Sequence, residues 1–340
     1  MSAQPETPMA DDDDLPVVKV AYQTYAETPQ RSVSVPSITS NTLLTALKAL
    51  TVAALMLIYP VLVVTHHQVD DSPIDLADAS RHWTVPEAGI ASQLITRELD
   101  GPGWVADRHL WHPQSRLTAL PAWQDTLVAA ISDHGRLSLS MIEGQRDPDL
   151  EAAIRSLGRT TTEDAIPRLV TAREALTRYD GRVGAGLSSR PQGALALAAE
   201  LELFAEWATA NRFALGEIAS PGDGWIASEA AIETVYRGKA RAHVAHEMIN
   251  ARLAAEPGIF PSSEAELAVL QALEKWRIAA KLRPLFISNH GADALIGANH
   301  PAMMAFLISD AGEASKRAAT LLKIPSEPEV EPEGETAANG

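Results

Sequence analysis

Hydrophobic positions along this chain follow two patterns. From Leu43 to Val64 the sequence runs LLTALKALTVAALMLIYPVLVV, apolar on every side with Lys48 as its one charge. From Thr84 to Lys323 apolar residues recur instead at three- and four-residue steps, and no run keeps a two-residue alternation for more than a few positions. The first pattern predicts a helix that crosses a membrane. The second predicts an all-α domain, giving a single amino-terminal transmembrane helix followed by a multi-helix antiparallel body.

Twenty-two residues at about 1.5 Å each reach roughly the 30 Å of a hydrocarbon core. Lys48 lies in the first two turns, where its stem can return the ammonium to the headgroups, and Pro60 lies near the other end, where it costs least. A cleaved signal peptide needs a short basic start and an A-x-A-like site, whereas here 42 polar residues come first and Thr65, His66 and His67 follow. Lys19, Arg31 and Lys48 precede or begin the span, against only Arg81 soon after it. By the positive-inside rule this puts the amino end in the cytoplasm and most of the chain outside it.

Residues 1–42 carry the acidic run Asp11 to Asp14 among Ser, Thr and Pro, and residues 324–340 alternate Glu with Pro and small residues. Both compositions predict disordered tails. Residues 66–83 read as a juxtamembrane linker, and 84–323 as the helical domain. Within it, helices are expected at 85–99, 119–143, 148–157, 163–187, 191–219, 228–255, 263–282 and 301–322. Thr84 to Glu87 and Ser263 to Glu266 have capping-box spacing, while Gly101-Pro102-Gly103, Gly158 and Pro257-Gly258 mark stops. In the last helix Met304, Leu307, Ile308, Ala311, Ala314, Ala318, Leu321 and Leu322 form a core stripe; in the one before it Leu267, Leu270, Leu273 and Trp276 do the same.

Charge and composition narrow the function. Lys and Arg total 28 against 44 Asp and Glu, a net charge of -16, so no positive field exists to hold nucleic acid. The absence of cysteine removes disulfides, zinc ribbons, iron–sulfur clusters and thiol nucleophiles. No G-x-S-x-G, Walker lysine loop or S-x-x-K is present, and no cofactor is expected.

The helix from Ser228 carries the most unusual pattern: Ile232, Val235, Lys239, Ala242, His246, Ile249 and Leu253 share one face, so Lys239 and His246 interrupt an apolar seam. Buried Lys and His need acceptors. The loop Asn289-His290-Gly291-Ala292-Asp293, with Asn299-His300, offers them, Asp293 being the natural acceptor for Lys239. Lys239, His246, His290, Asp293 and His300 are thus either a candidate catalytic cluster or a polar layer that fixes helix register. His243, His246 and Glu247 are weak metal candidates, since the spacing is neither H-E-x-x-H nor H-x-x-E-H. Trp104 and Trp111, in a Gly- and Pro-rich stretch, anchor a loop or core, or line a groove.

Trp104 to Trp111, Asp147-Pro148-Asp149-Leu150, Tyr236-Arg237-Gly238-Lys239-Ala240, and Leu285-Phe286-Ile287 leading to Asn289–Asp293 and Asn299-His300 together resemble an uncharacterised bacterial family, domain of unknown function 2333. The resemblance covers roughly residues 43–323. It implies a single-span inner-membrane protein with no established activity, catalytic residue or cofactor. The expected role is a scaffold or assembly factor with a protein partner in the cell envelope. The alternatives are an envelope enzyme using the His/Asp cluster and a binding module for a lipid or small ligand, which needs a cavity of at least about 300 Å³. The oligomeric state is open.

Overall fold

A computed structural model describes residues 40–66, 69–76, 81–105, 119–142, 144, 146–158, 164–218, 227–283, 287–289 and 299–325. These residues form nine named helices and no strand; the one β-type pairing is an isolated bridge between Asn289 and Asn299. Residues 1–39 and 326–340 of the two predicted tails, Trp111, His290 and Asp293 lie outside the described residues, while residues 40–42, expected in the first tail, open the first helix.

Helix α1 (Ser40–His66) is apolar all round, and none of its residues Asn41–Ile58 is buried. Its hydroxyls turn inward on the helix itself: Thr45 Oγ1 donates to the Asn41 carbonyl and Thr51 Oγ1 to that of Leu47, each at 2.8 Å. A helix that turns these hydroxyls onto its own carbonyls and exposes mainly apolar side chains has the length and composition to cross a membrane.

The body contains α2 (Pro86–Asp100), α3 (Ala119–Met141), α4 (Pro148–Leu157), α5 (Ala165–Gly184), α6 (Gly193–Ile218), α7 (Glu229–Ala255), α8 (Ser263–Ala280) and α9 (His300–Leu322). Local chemistry starts four of them. Asp147 accepts from the backbone N–H groups of Asp149 and Leu150 to cap α4, and Ser228, Ser262 and Asn299 cap α7, α8 and α9. Prolines 86, 148 and 301 occupy first-turn positions, where a missing N–H is harmless.

The two expected capping boxes resolve differently. Helix α2 has Val85 rather than Thr84 at its N-cap position and no side-chain cap; the Val85 N–H goes to Asp180 Oδ1 at 2.7 Å, while Glu87 turns into the core. For α8 the cap is Ser262, one residue earlier than expected, accepting from Ala265 N at 3.2 Å.

Helices pack in chain order from α2 to α5 and again from α6 to α9, whereas α6 follows α5 without packing on it. Arg178 pairs with Asp149 and Arg182 with Asp147 across α4 and α5, and Lys275 pairs with Asp310 across α8 and α9. Helix α7 is the centre, in contact with α2, α3, α6, α8 and α9. From Gly238 to Ile249 it is buried on every side apart from half-buried Arg241. Glycine sets two close crossings: a Cβ on Gly238 would lie 2.6 Å from Ile308 Cδ1, and one on Gly312 would lie 2.5 Å from Ala208 Cβ.

In α8 the expected leucine stripe is not the core face. Leu267 and Leu270 are 58% and 44% exposed, while Ala265, Ala268, Val269, Ala272, Trp276 and Ala279 are buried. Close contact with α9 admits alanines, and Trp276 fills the remaining space with its Nε1 donating to Ser315 Oγ at 2.8 Å. Leucines at such a crossing would push the helices apart. In α9 the stripe is buried at Met304, Ile308, Ala311, Ala318 and Leu322, while Leu307, Ala314 and Leu321 flank it half-buried.

Candidate functional site

Two buried polar clusters lie on α7, one around its middle and one near its carboxyl end. The first contains the seam read from sequence. Lys239 is 4% exposed, and its Nζ lies 2.5 Å from Asp71 Oδ2 and donates to the Leu282 carbonyl at 2.8 Å. The carboxylate that meets it is therefore Asp71, from the stretch expected to be a linker, whereas the expected acceptor Asp293 is outside the described residues. Asp71 is itself 4% exposed and also accepts from Arg283 Nε at 2.9 Å. Burial works to raise its pKa, and the hydrogen bonds from Arg283 and Lys239 overcome that to hold it below the usual carboxylate value. Burial likewise pulls the Lys239 ammonium down despite Asp71.

Residues 69–76 are fastened along their length. Arg97 donates to the Ser72 carbonyl at 2.6 Å, Ser72 turns back on Asp70 Oδ1, and the Ile74 N–H reaches Glu247 Oε2 at 3.4 Å. Half-buried Val69, Ile74 and Leu76 pack on the core. Here Lys239, His243 and Glu247 act as a polar layer that holds the segment following α1.

The histidines of this layer are committed too. His243 Nε2 lies 2.7 Å from Arg97 Nη2, so the neutral ring accepts from the guanidinium. Burial first, then the Arg97 charge, lowers its pKa to about 3. His246 Nδ1 faces Glu247 Oε1 at 3.2 Å and its Nε2 faces Asn250 at 3.1 Å. Among the described residues no group of three or more His, Asp or Glu is arranged to hold a metal. A guanidinium already stands where His243 would bind one.

His300 belongs elsewhere. Its Nδ1 accepts from the Ser288 backbone N–H at 3.1 Å, its own backbone N–H goes to the Ser288 carbonyl, and Asn289 Nδ2 donates to the Ile218 carbonyl at 3.0 Å. This clasp ties the ends of α6 and α9 together. The contacts that hold Lys239, His246 and His300 are thus three separate sets, with His290 outside the described residues. Trp104, 1% exposed, is a core anchor; Gln124 pins its loop through Gly103 and Val105, and Glu98 accepts from Trp123 Nε1 at 2.9 Å.

The second cluster was not anticipated. Arg252, 1% exposed near the end of α7, pairs with Glu200 of α6 through Nη2, with Glu256 through Nη1 at 2.9 Å, and with the Pro191 carbonyl at 2.6 Å. His134 Nε2 stands 3.4 Å from Glu200 Oε1, and Arg190 lies 3.1 Å from Glu256. Gly193, held at φ +80, donates its N–H to Glu256 at 2.7 Å and starts α6. Burial opposes ionisation of Glu200, but the Arg252 charge and His134 outweigh it and bring the carboxyl down to about 2.

No family model, curated protein or solved structure matches this chain.

Glu87 completes the cluster from α2. Its Oε1 is ion-paired with Arg252 Nε at 3.0 Å, while the other Arg252 donors go to Glu200, Glu256 and the Pro191 carbonyl. Burial, with the Glu200 charge added, raises its pKa despite Arg252. Glu87, His134, Tyr179, Arg190 and Arg252 floor a cleft whose walls are apolar, from Ala88 and Ala91 of α2 through Ile131 of α3 and Leu150 and Leu157 of α4 to Leu176 of α5. Counted out to its mouth the cleft is about 500 Å³, but its room for water-sized bodies is about 40 Å³, roughly three or four waters. A drug-sized or lipid ligand does not fit such a space.

Proposed function

We propose that this chain is a single-span membrane protein of the bacterial inner membrane, with its amino end cytoplasmic and its helical body periplasmic, serving as an envelope scaffold or assembly factor. The observation that carries the anchor is the exposure of α1: Leu43, Leu47, Leu50, Leu55, Met56 and Leu57 are each more than half exposed around the whole helix. Water does not tolerate a continuous apolar cylinder of this size, and a bilayer does. The orientation rests on Lys19, Arg31 and Lys48 against Arg81.

The scaffold reading is supported by how the seam residues are used. Lys239 holds Asp71 directly and His243 accepts from the Arg97 that holds Ser72, so residues 69–76, just after the anchor, are fastened to the helical body. Leu195, Phe213 and Phe306, all above 60% exposed, supply apolar anchors for a protein partner. The enzyme reading loses support because Lys239 and His246 are committed to Asp71 and Glu247 and neither lines the cleft. Membership of the family named above remains part of the proposal.

The test is a fusion after Lys323 of a reporter enzyme that folds only outside the cytoplasm. Activity in intact cells is expected; activity only of a cytosolic reporter at the same site would overturn the orientation. The partner is tested by crosslinking the full chain in its native membrane. One partner in fixed proportion is expected, and recovery of the chain alone would contradict the scaffold role.

A further inference from the structure

Very little chain separates α1 from the body. Helix α1 ends at His66 and Val69 already packs on the core, a separation of three peptide steps that fully extended reach about 10 Å. Two residues further on, Asp71 is held by Lys239 at 2.5 Å and accepts from Arg283 Nε at 2.9 Å. Arg283 follows the end of α8, so this fastening keeps the carboxyl end of α8 within five peptide steps, about 17 Å, of the end of α1. The charges there leave a positive surplus on the surface. One buried carboxylate, Asp71, is shared by two cations, of which Lys239 is buried and the Arg283 side chain is 67% exposed. Lys281 adds a second exposed cation. It forms no salt bridge among the described residues, the nearby Glu274 carboxylate being held by Arg277. Asp70, the other carboxylate close to Arg283, faces Arg97 at 3.9 Å. Ile278, three residues before Lys281 on the outer side of α8, is 39% exposed.

We propose that Ile278, Lys281 and Arg283 form a headgroup-binding corner, which rests on the bilayer that α1 crosses and takes the phosphates of anionic phospholipids. The inference rests on the reading of α1 as an anchor and deepens it by naming the part of the body that meets the lipid. Two features select this occupant. An apolar side chain beside two long cationic ones suits an interface, where the stems lie against hydrocarbon and the charged ends meet phosphate. The short tether then favours the bilayer over a soluble acidic partner, because the membrane is always within reach of this edge and a soluble partner must first displace it. A net charge of -16 makes a positive edge unusual in this chain, and here it falls on the segment fastened beside the anchor.

The experiment uses the full chain in lipid nanodiscs, made of phosphatidylcholine alone or with an equal part of phosphatidylglycerol. A fluorophore is placed at Ile278→Cys or, as the distant site, at Lys316→Cys, and lipids spin-labelled on the headgroup act as quenchers. Lys316 is distant because its neighbour Arg317 pairs with Glu264 at the opposite end of α8, about 27 Å away along the helix. Quenching is expected at Ile278→Cys and not at Lys316→Cys, and more strongly in the discs that contain phosphatidylglycerol. Adding Lys281→Gln should lower the docked-to-undocked ratio roughly fivefold in those discs, the effect of one cation at an anionic surface, and far less in phosphatidylcholine alone. Arg283→Gln should act in the same direction. Equal quenching at the two sites, no dependence on phosphatidylglycerol, or full quenching in the double variant Lys281→Gln with Arg283→Gln overturns the corner. Should the double variant fail to fold, full quenching with Lys281→Gln alone overturns it equally. A chain that does not enter the discs overturns the anchor and the corner together. A chain that enters them with Ile278→Cys unquenched, its edge left to a soluble partner, overturns the corner alone.

Discussion

Asp71 offers the sharpest test of how the segment after α1 is held. Replacing it with alanine removes the carboxylate facing the Lys239 ammonium at 2.5 Å and leaves that ammonium, 4% exposed, with only the Leu282 carbonyl. Breaking one side of a buried pair costs about 3–5 kcal/mol, because the remaining charge stays desolvated. The Arg283 contact adds little to this sum: its side chain is 67% exposed, and pairs of that kind are worth about 1 kcal/mol or less. At roughly 2–4 °C per kcal/mol for a body of this size, Asp71→Ala should lower the unfolding midpoint by about 6–20 °C, whereas Arg283→Ala should move it by a few degrees at most. Thermal unfolding of the full chain in detergent, followed by helical circular dichroism, measures both. The double variant Asp71→Ala with Lys239→Met removes the stranded charge, so it should be more stable than the sum of the single changes by about 1–3 kcal/mol. Because the folded pKa of Asp71 is depressed, its contribution is complete above the unfolded value of about 3.9 and is lost as pH falls through the folded one. A change below about 0.5 kcal/mol for Asp71→Ala, or strict additivity with Lys239→Met, would refute the buried pair as the fastening.

Three further outcomes follow from the packing and charges described above. Glu200 titrates near 2 when folded against an ordinary 4.5, so its stabilisation should be whole above pH 4.5 and fade toward pH 2; Arg252→Met should flatten that acid limb and cost about 3–5 kcal/mol by chemical denaturation. Glu87 has the opposite sign: its raised pKa makes the ionised form costly as pH rises, so Glu87→Gln should be at least as stable at neutral pH and lose that slope in a pH series of melts. Among helix glycines, Gly216→Ala meets nothing within 4 Å and should stabilise by roughly 0.5–1 kcal/mol, whereas Gly312→Ala drives a Cβ into Ala208 and should cost about 1–3 kcal/mol by the same melts.

The helices themselves were legible because three- and four-residue periodicity, prolines in first turns and glycines at stops are local signals. Helices α2 to α9 fall close to the expected spans, and the Asp147, Ser228 and Asn299 caps are short-range chemistry. The faces were less legible. In α8, sequence favours burying Leu267 and Leu270, but the crossing with α9 needs small residues, and only the three-dimensional spacing of the two helices decides that. In α7, the Lys239 seam was visible as polar residues interrupting an apolar face, yet its partner Asp71 lies 168 positions away in a stretch that reads as linker. The Arg252 cluster was hidden for the same reason: Glu87, His134, Glu200 and Arg252 come from four helices, and each looks locally like an ordinary solvated charge. Glu87 even carried a misleading signal, since capping-box spacing suggested a role at the helix start. What the sequence did contain was a hint in α7 itself, where charged residues occur all round a helix that is central.

The anchor and its orientation are tested most directly by substituted-cysteine labelling, which this chain permits without background because it has no cysteine of its own. Ser34→Cys marks the amino-terminal tail and Lys316→Cys an exposed site on α9. In spheroplasts treated with a membrane-impermeant maleimide, the Lys316→Cys chain should label at once and the Ser34→Cys chain only after permeabilisation, with both staying in the membrane pellet at high pH. The reverse labelling order, equal labelling at both sites, or release of the chain by alkaline washing would contradict a single span carrying the helical body to the outer side.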